Sequence, residues 1–297
     1  MSKKSEQVRK EWSINDAARD AGQITPADIE RYDNIQYGSD PVWNILDVYK
    51  PEKKAAETLP VIMIVHGGGW VYGTKETYQY YGMGLARRGF AVINFTYRLA
   101  PESKFPAQLE DINSVTAWMY DNSGTYGFDT NNVFMAGDSA GAHLLGLYTA
   151  VCTDSAYAAN YMFKIPHNFV PKAIAMNCGA YRLYSDDGLP AGGAVDGGLM
   201  EDLLPENGSK AEISLINVVD HINSKFPPAY IMTAEGDFLK DQAPLLEDAY
   251  KEAGVYFVSK VYGGKDDLLY HVFHVTMDEP AAAQCNDDEC SFFKRLI

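Results

Sequence analysis

Apolar residues along this chain fall into two patterns that take turns. Residues 43–51, "WNILDVYKP", alternate apolar and polar side chains, the period of a half-buried strand. Residues 59–69, "LPVIMIVHGGG", are a continuous branched run ending in glycines, the form of a parallel strand buried on both faces. Residues 77–89, "TYQYYGMGLARRG", have helical spacing and a closing glycine, and "FAVINFTYRL" (90–99) is the next buried strand. A helix over 105–122, a short strand at 131–139 and an apolar helix over 140–152 follow. Strands at 171–180 and 228–237, a helix over 242–254, a strand at 255–264 and a closing helix over 280–297 complete the series. This order predicts an α/β fold with a mostly parallel sheet and helices on both faces. The first two strands have no helix between them, so an antiparallel start is expected.

Two segments stand outside the alternation. Residues 1–32 precede the strands, and residues 184–227, rich in glycine and acid, separate two of them. A long excursion of the second kind is typically a lid or binding loop. No internal repeat is visible, and 297 residues suit one α/β domain with a large core.

Charge narrows the partners. A formal net charge of −15 and no basic stripe argue against nucleic acid, whose phosphates need a basic face. No run reaches the roughly 18 apolar residues that span a membrane, and the polar start "MSKKSEQVRKEW" lacks a signal-peptide core. A cytoplasmic location is the expectation, and the oligomeric state, a homodimer included, stays open. Four cysteines in 297 residues make no disulfide framework, although Cys285 and Cys290 in "CNDDEC" offer a pair or a soft-metal site.

Chemistry enters with "GDSAG", residues 137–141, a G-x-S-x-G sequence between an expected strand and an expected helix. A strand turning sharply into a helix holds a serine in a strained state with its hydroxyl exposed, and small flanking residues let backbones approach. "HGGGW", residues 66–70, ends a buried strand. Backbone N–H groups on such a loop can hold the oxyanion of an acyl transfer, and no phosphate-cradling glycine pattern is present there.

With "YRLAPESKFPAQLED" at 97–111 added, the three ordered motifs resemble the hormone-sensitive-lipase-like esterases of the α/β-hydrolase superfamily. The resemblance covers roughly residues 35–297. It implies a central sheet of about eight strands and a small cap built from residues about 1–32 and 184–227. It also implies Ser139 as nucleophile, Asp237 in "AEGDFLKDQ" as acid and His271 in "LLYHVFHV" as base, with Asp241 as the rival carboxylate. The oxyanion would be held by the amides of Gly68, Gly69 and Ala140, while Gly67 sets the loop and His66 braces it. Arg98 is expected to pair with Glu102 or Asp111, and Asp138 to be structural.

Val272 stands where the family usually has glycine, and His274 has no family counterpart. His274 reads as a packing partner near the pocket rim or a surface residue, and His271 with His274 as a metal pair is the weaker alternative. His143 is expected to be packed on its helix, and His167 and His221 to lie in loops. The implied activity is a serine carboxylesterase for short-chain acyl esters, acetyl, aromatic or sugar esters among them, needing no metal or organic cofactor. An amidase or formamidase on the same triad, and a non-catalytic ligand-binding relative, stay open.

Overall fold

Continuous apolar runs become the interior of one sheet. The computed structural model describes residues 1–185, 188–189 and 197–297, so part of the 184–227 segment lies outside the described residues. Its strands are β1 (Ile29–Gln36), β2 (Ile45–Pro51), β3 (Leu59–Val65), β4 (Ala91–Phe95), β5 (Phe128–Asp138), β6 (Ala173–Asn177), β7 (Ala229–Ala234) and β8 (Phe257–Tyr262). They form one eight-stranded sheet in the order β1-β2-β4-β3-β5-β6-β7-β8. β2 runs antiparallel to both neighbours, and every pairing from β4 to β8 is parallel. This is the α/β-hydrolase fold.

The two-residue period of a strand divides the core. On β3, Val61, Met63 and Val65 pack into one buried cluster, and Ile62 and Ile64 into another across the sheet. Helices cover both: α1 (Lys3–Arg19), α2 (Gln79–Arg87), α3 (Ala107–Asp121), α4 (Ser123–Tyr126), α5 (Ala140–Thr153), α6 (Ser155–Ala158), α7 (Gly197–Leu203), α8 (Lys210–Ile216), α9 (Gln242–Ala253) and α10 (Pro280–Lys294). α5 is buried at all but one position, which explains why its sequence is apolar on every side.

Two elements depart from the sequence expectation. β1 is an additional edge strand, so the end of the 1–32 segment belongs to the sheet. Its residues "IERYDNIQ" are mostly polar because an edge strand keeps one side in water. β2 is buried along Leu46–Lys50 rather than half-buried. Its polar positions are satisfied inside: Asp47 pairs with Lys75 at 2.9 Å, and Lys50 Nζ donates to the Ala55, Glu57 and Tyr126 carbonyls.

The N-terminal helix is tied down by its polar residues. Arg9 donates to the Val71 carbonyl at 2.7 Å and the Ala100 carbonyl at 2.9 Å, and Arg19 donates to the Thr77 carbonyl at 2.6 Å. The Ser2 N–H donates to the Asp202 carboxylate on α7 at 2.8 Å. The Ser2 bond joins the start of α1 to α7, which packs against it. Among the described residues, no helix is long and apolar enough to cross a membrane.

Candidate active site

The site gathers at the C-terminal ends of β3, β5, β7 and β8, where an open α/β sheet presents loops rather than side-chain layers. At the β5–α5 junction Ser139 takes φ 52° and ψ −121°, a state that costs a non-glycine residue roughly 1–3 kcal/mol. The turn closes against β3 so tightly that a Cβ on Gly141 would lie 2.0 Å from the Val65 carbonyl oxygen. The Ser139 N–H donates to the Asn177 carbonyl at 3.0 Å, which ties the turn to the end of β6.

His271, on the loop after β8, faces Ser139. Its Nε2 lies 3.0 Å from Ser139 Oγ, and its Nδ1 lies 2.7 Å from Asp237 Oδ1. The Phe238 ring packs on the imidazole at 4.3 Å between centroids. Asp237 follows β7 and is buried, yet three donors surround it: His271, the Leu239 N–H at 2.8 Å and the Thr233 hydroxyl at 3.1 Å. Burial alone would raise the Asp237 carboxyl. The bond from His271, the charge the imidazole carries when protonated and the Leu239 amide outweigh burial and hold the carboxyl below its ordinary value. Asp241 is exposed at the start of α9, away from this pair.

The glycine loop after β3 is held from below. The Gly67 N–H donates to the Tyr78 hydroxyl oxygen at 2.9 Å and to Asp138 at 3.1 Å, and the Tyr78 hydroxyl donates to Asp138 at 2.6 Å. Burial lifts the Asp138 carboxyl to about 6, against the pull of the Tyr78 hydroxyl, the His271 charge and the Gly67 amide. His66 stacks on Tyr97 at 3.9 Å and its Nδ1–H donates to the Gly67 carbonyl at 2.7 Å. Burial pushes its pKa down to about 4, so it is neutral at pH 7. Gly68 takes φ +119°, and a Cβ there would meet the Tyr72 carbonyl oxygen at 2.0 Å. Among the described residues, the amides of Gly68, Gly69 and Ala140 have no protein acceptor.

Two cavities meet at the serine. One, of about 530 Å³, is lined by His271, Gly68, Tyr72, Asn15, Asp16 and Arg19 among others. The other, of about 280 Å³, is lined by Gly69, Ala140, Val8, Trp70, Leu199 and Leu239 among others. Ser139, Trp12 and Phe238 line both. Trp12 and the rest of the α1 lining had no signal in the sequence, because α1 carries a polar composition and no motif. Phe238 adjoins the candidate acid and was legible only as a neighbour.

Several secondary expectations need correction. His274 is neither at a rim nor on the surface: it is buried, edge-on to Tyr81 at 5.2 Å, with neither ring nitrogen partnered among the described residues. Burial drives its pKa down to about 3, and it does not join His271 as a metal pair. Glu102 pairs with Arg9 at 2.6 Å, while Arg98 pairs with Asp111 at 2.9 Å and Glu110 at 2.9 Å. Cys285 and Cys290 are buried free thiols on α10. His143 is packed and bonded as expected, taking the Trp70 indole N–H at 3.2 Å and lying 2.8 Å from the Ile216 carbonyl. His167 and His221 lie in short 3₁₀ turns.

Known proteins are similar to this chain over part or most of its length. Esterase LipC of Mycobacterium tuberculosis is 33% identical over 126 residues, 42% of this chain and 31% of that protein. Carboxylesterase NlhH of the same organism is 25% identical over 253 residues, 81% of this chain and 75% of its own length. The chain thus spans about a third of LipC and most of NlhH. The crystal structure of esterase B from Lactobacillus rhamnosis superposes with a TM-score of 0.88 at 24% identity, covering 99% of this chain and 94% of that one. The BD-FAE family model matches residues 46–243, a stretch that holds both glycine motifs, Ser139 and Asp237. The chain belongs to the BD-FAE family of hormone-sensitive-lipase-like α/β hydrolases.

Proposed function

We propose that this protein is a serine carboxylesterase that hydrolyses short-chain acyl esters through Ser139, His271 and Asp237. The observation that carries the reading is the unbroken relay of 3.0 Å and 2.7 Å contacts from Ser139 Oγ through His271 to Asp237. With Nδ1–H donated to Asp237, the lone pair of Nε2 faces the serine hydroxyl and takes its proton as Oγ attacks the ester carbonyl. The tetrahedral oxyanion is held by the amides of Gly68, Gly69 and Ala140, which develop their strongest bonds only as the charge forms. Nε2–H then protonates the departing alkoxide, leaving an acyl-serine. Water, deprotonated by His271, attacks the acyl carbon and releases the carboxylic acid and the free serine. The names of NlhH and LipC support an esterase over the other chemistries of this fold.

The proton route also sorts the two cavities. The leaving oxygen must receive its proton from His271, so the alcohol lies in the 530 Å³ cavity that His271 lines. The acyl group then takes the 280 Å³ cavity beside Gly69 and Ala140, whose size favours short chains. α1 serves as the cap over both, and α7 joins it over the smaller one.

A p-nitrophenyl ester series from acetate to octanoate tests this, with a matched anilide as the amide arm. Wild type should turn over the short esters faster than octanoate and faster than the anilide. Ser139→Ala and His271→Ala should fold normally and lose nearly all turnover. A folded wild type that cleaves no ester, and takes no label at Ser139 from a p-nitrophenyl phosphonate, would sink the reading.

A further inference from the structure

One side chain behind the triad belongs to none of the roles above. Cys178 follows the last residue of β6, and its Sγ, an Asp237 carboxylate oxygen and a His271 ring nitrogen all lie within 4.8 Å of one another. The preceding residue, Asn177, holds the Ser139 N–H through its carbonyl at 3.0 Å. The Val272 amide, next to His271, faces the thiol sulfur. Two consecutive residues therefore adjoin all three arms of the triad.

The backbone underlines the choice of side chain. Cys178 sits at φ 47°, a left-handed position where glycine would be free of strain. Glycine would also remove the thiol. The sulfur is buried and burial, reinforced by the Asp237 charge, drives its pKa far up, so it is a neutral S–H rather than a nucleophile. Its sulfur lies 3.8 Å from the Met232 thioether and within 4.8 Å of an Asp237 carboxylate oxygen, and of these two acceptors the ionised one is the stronger. The other titratable groups that feel the thiol, Tyr181 and Cys285, are buried and held neutral.

We infer that Cys178 is a positioning residue, a neutral thiol that donates to Asp237 and accepts from Val272, and so fixes the acid against the histidine loop. The inference rests on the proposed triad. Without the thiol, Asp237 loses a donor and becomes the more basic partner, so the proton on His271 is held more tightly. The loop also loses the acceptor for the Val272 N–H.

The experiment compares wild type with Cys178→Ala, Cys178→Ser and Cys178→Gly, using kcat and kcat/KM for p-nitrophenyl acetate from pH 5 to 9. Rates are normalised to the fraction of Ser139 labelled by a phosphonate, and folding is followed by thermal melting. In Cys178→Ala, kcat should fall about three- to tenfold with KM little changed, the worth of one weak bond to a charged group. The acid limb of its kcat/KM profile should move upward by about half a pH unit. Cys178→Ser, which keeps a donor and an acceptor, should restore both. If Cys178→Ala fails to fold, Cys178→Gly poses the same question without the strain. An acid limb that superposes on wild type, or a serine variant that behaves like alanine, overturns the inference. A wild type that is neither active nor labelled at Ser139 overturns the triad itself, a distinct outcome.

Discussion

Val272 sits at φ 52° and ψ 31°, where a β-branched side chain crowds its own backbone. Val272→Gly therefore sets three effects against each other. The left-handed conformation costs an L-residue roughly 1–2 kcal/mol, which glycine would recover. Glycine loses about 0.5–1 kcal/mol through the greater freedom of its unfolded chain. The side chain is half-buried against the second core cluster, and removing it costs about 1 kcal/mol, half the worth of a fully buried valine. At an unstrained site the last two would add to about 2 kcal/mol of destabilisation. Here strain release should bring the net loss below about 1 kcal/mol, a drop in Tm of no more than about 3 °C. Urea denaturation at pH 7 reads the difference directly. A loss of about 2 kcal/mol or more would show that the loop carries no stored strain at this residue.

Three further outcomes follow from other parts of the molecule. Glu289 is buried between Tyr81 and Asn177, and burial raises its carboxyl from 4.5 to about 7. The native state thus binds this proton more tightly than the unfolded chain, so its contribution to stability is full below pH 4.5 and is lost as pH rises towards 7. The loss amounts to about 3 kcal/mol, and Glu289→Gln should flatten the dependence of Tm on pH between 5 and 8. Asn177 can accept the new amide by turning its own over, since its Oδ1 has no partner among the described residues. Equal slopes in the two proteins would refute the burial argument. Gly68→Ala places a Cβ on the Tyr72 carbonyl and displaces a proposed oxyanion donor, so kcat should fall about a hundredfold or more while KM stays near wild type. Trp12→Ala joins the two cavities, and the ratio of kcat/KM for octanoate over acetate should rise; an unchanged ratio would mean that Trp12 does not divide them.

How much of this was legible in the sequence depended on how local the physics is. A nucleophile turn needs glycine at 137 and 141 because of backbone contacts within a few ångströms, so it leaves a motif. The buried parallel strands were legible because they are apolar on both faces. β1 left no such trace, since an edge strand keeps polar residues in water. β2 misled in the other direction: Asp47 and Lys50 look solvent-facing until Lys75 and three carbonyls, distant in sequence, are seen to surround them. Of the two carboxylates expected for Arg98, Asp111 does pair with it, whereas Glu102 is reached by Arg9, 93 residues away. The departure at Val272 was visible from the family pattern, but its meaning, a positive φ beside the histidine, needed the backbone. Nothing in the string connects Cys178 to Asp237, because that contact is made by two strand ends meeting in space.

The docking of α1 has a consequence for how this protein can change. Its residues supply Trp12, Asn15, Asp16 and Arg19 to one cavity and Lys4, Gln7, Val8 and Glu11 to the other. The reacting groups, by contrast, all lie between positions 66 and 271. A large share of the cavity lining is thus carried on a stretch of chain apart from the proposed reacting groups, joined to them by a handful of arginine and serine anchors. Exchange of the first twenty residues for those of a relative should redirect substrate choice while leaving the machinery of bond cleavage unaltered.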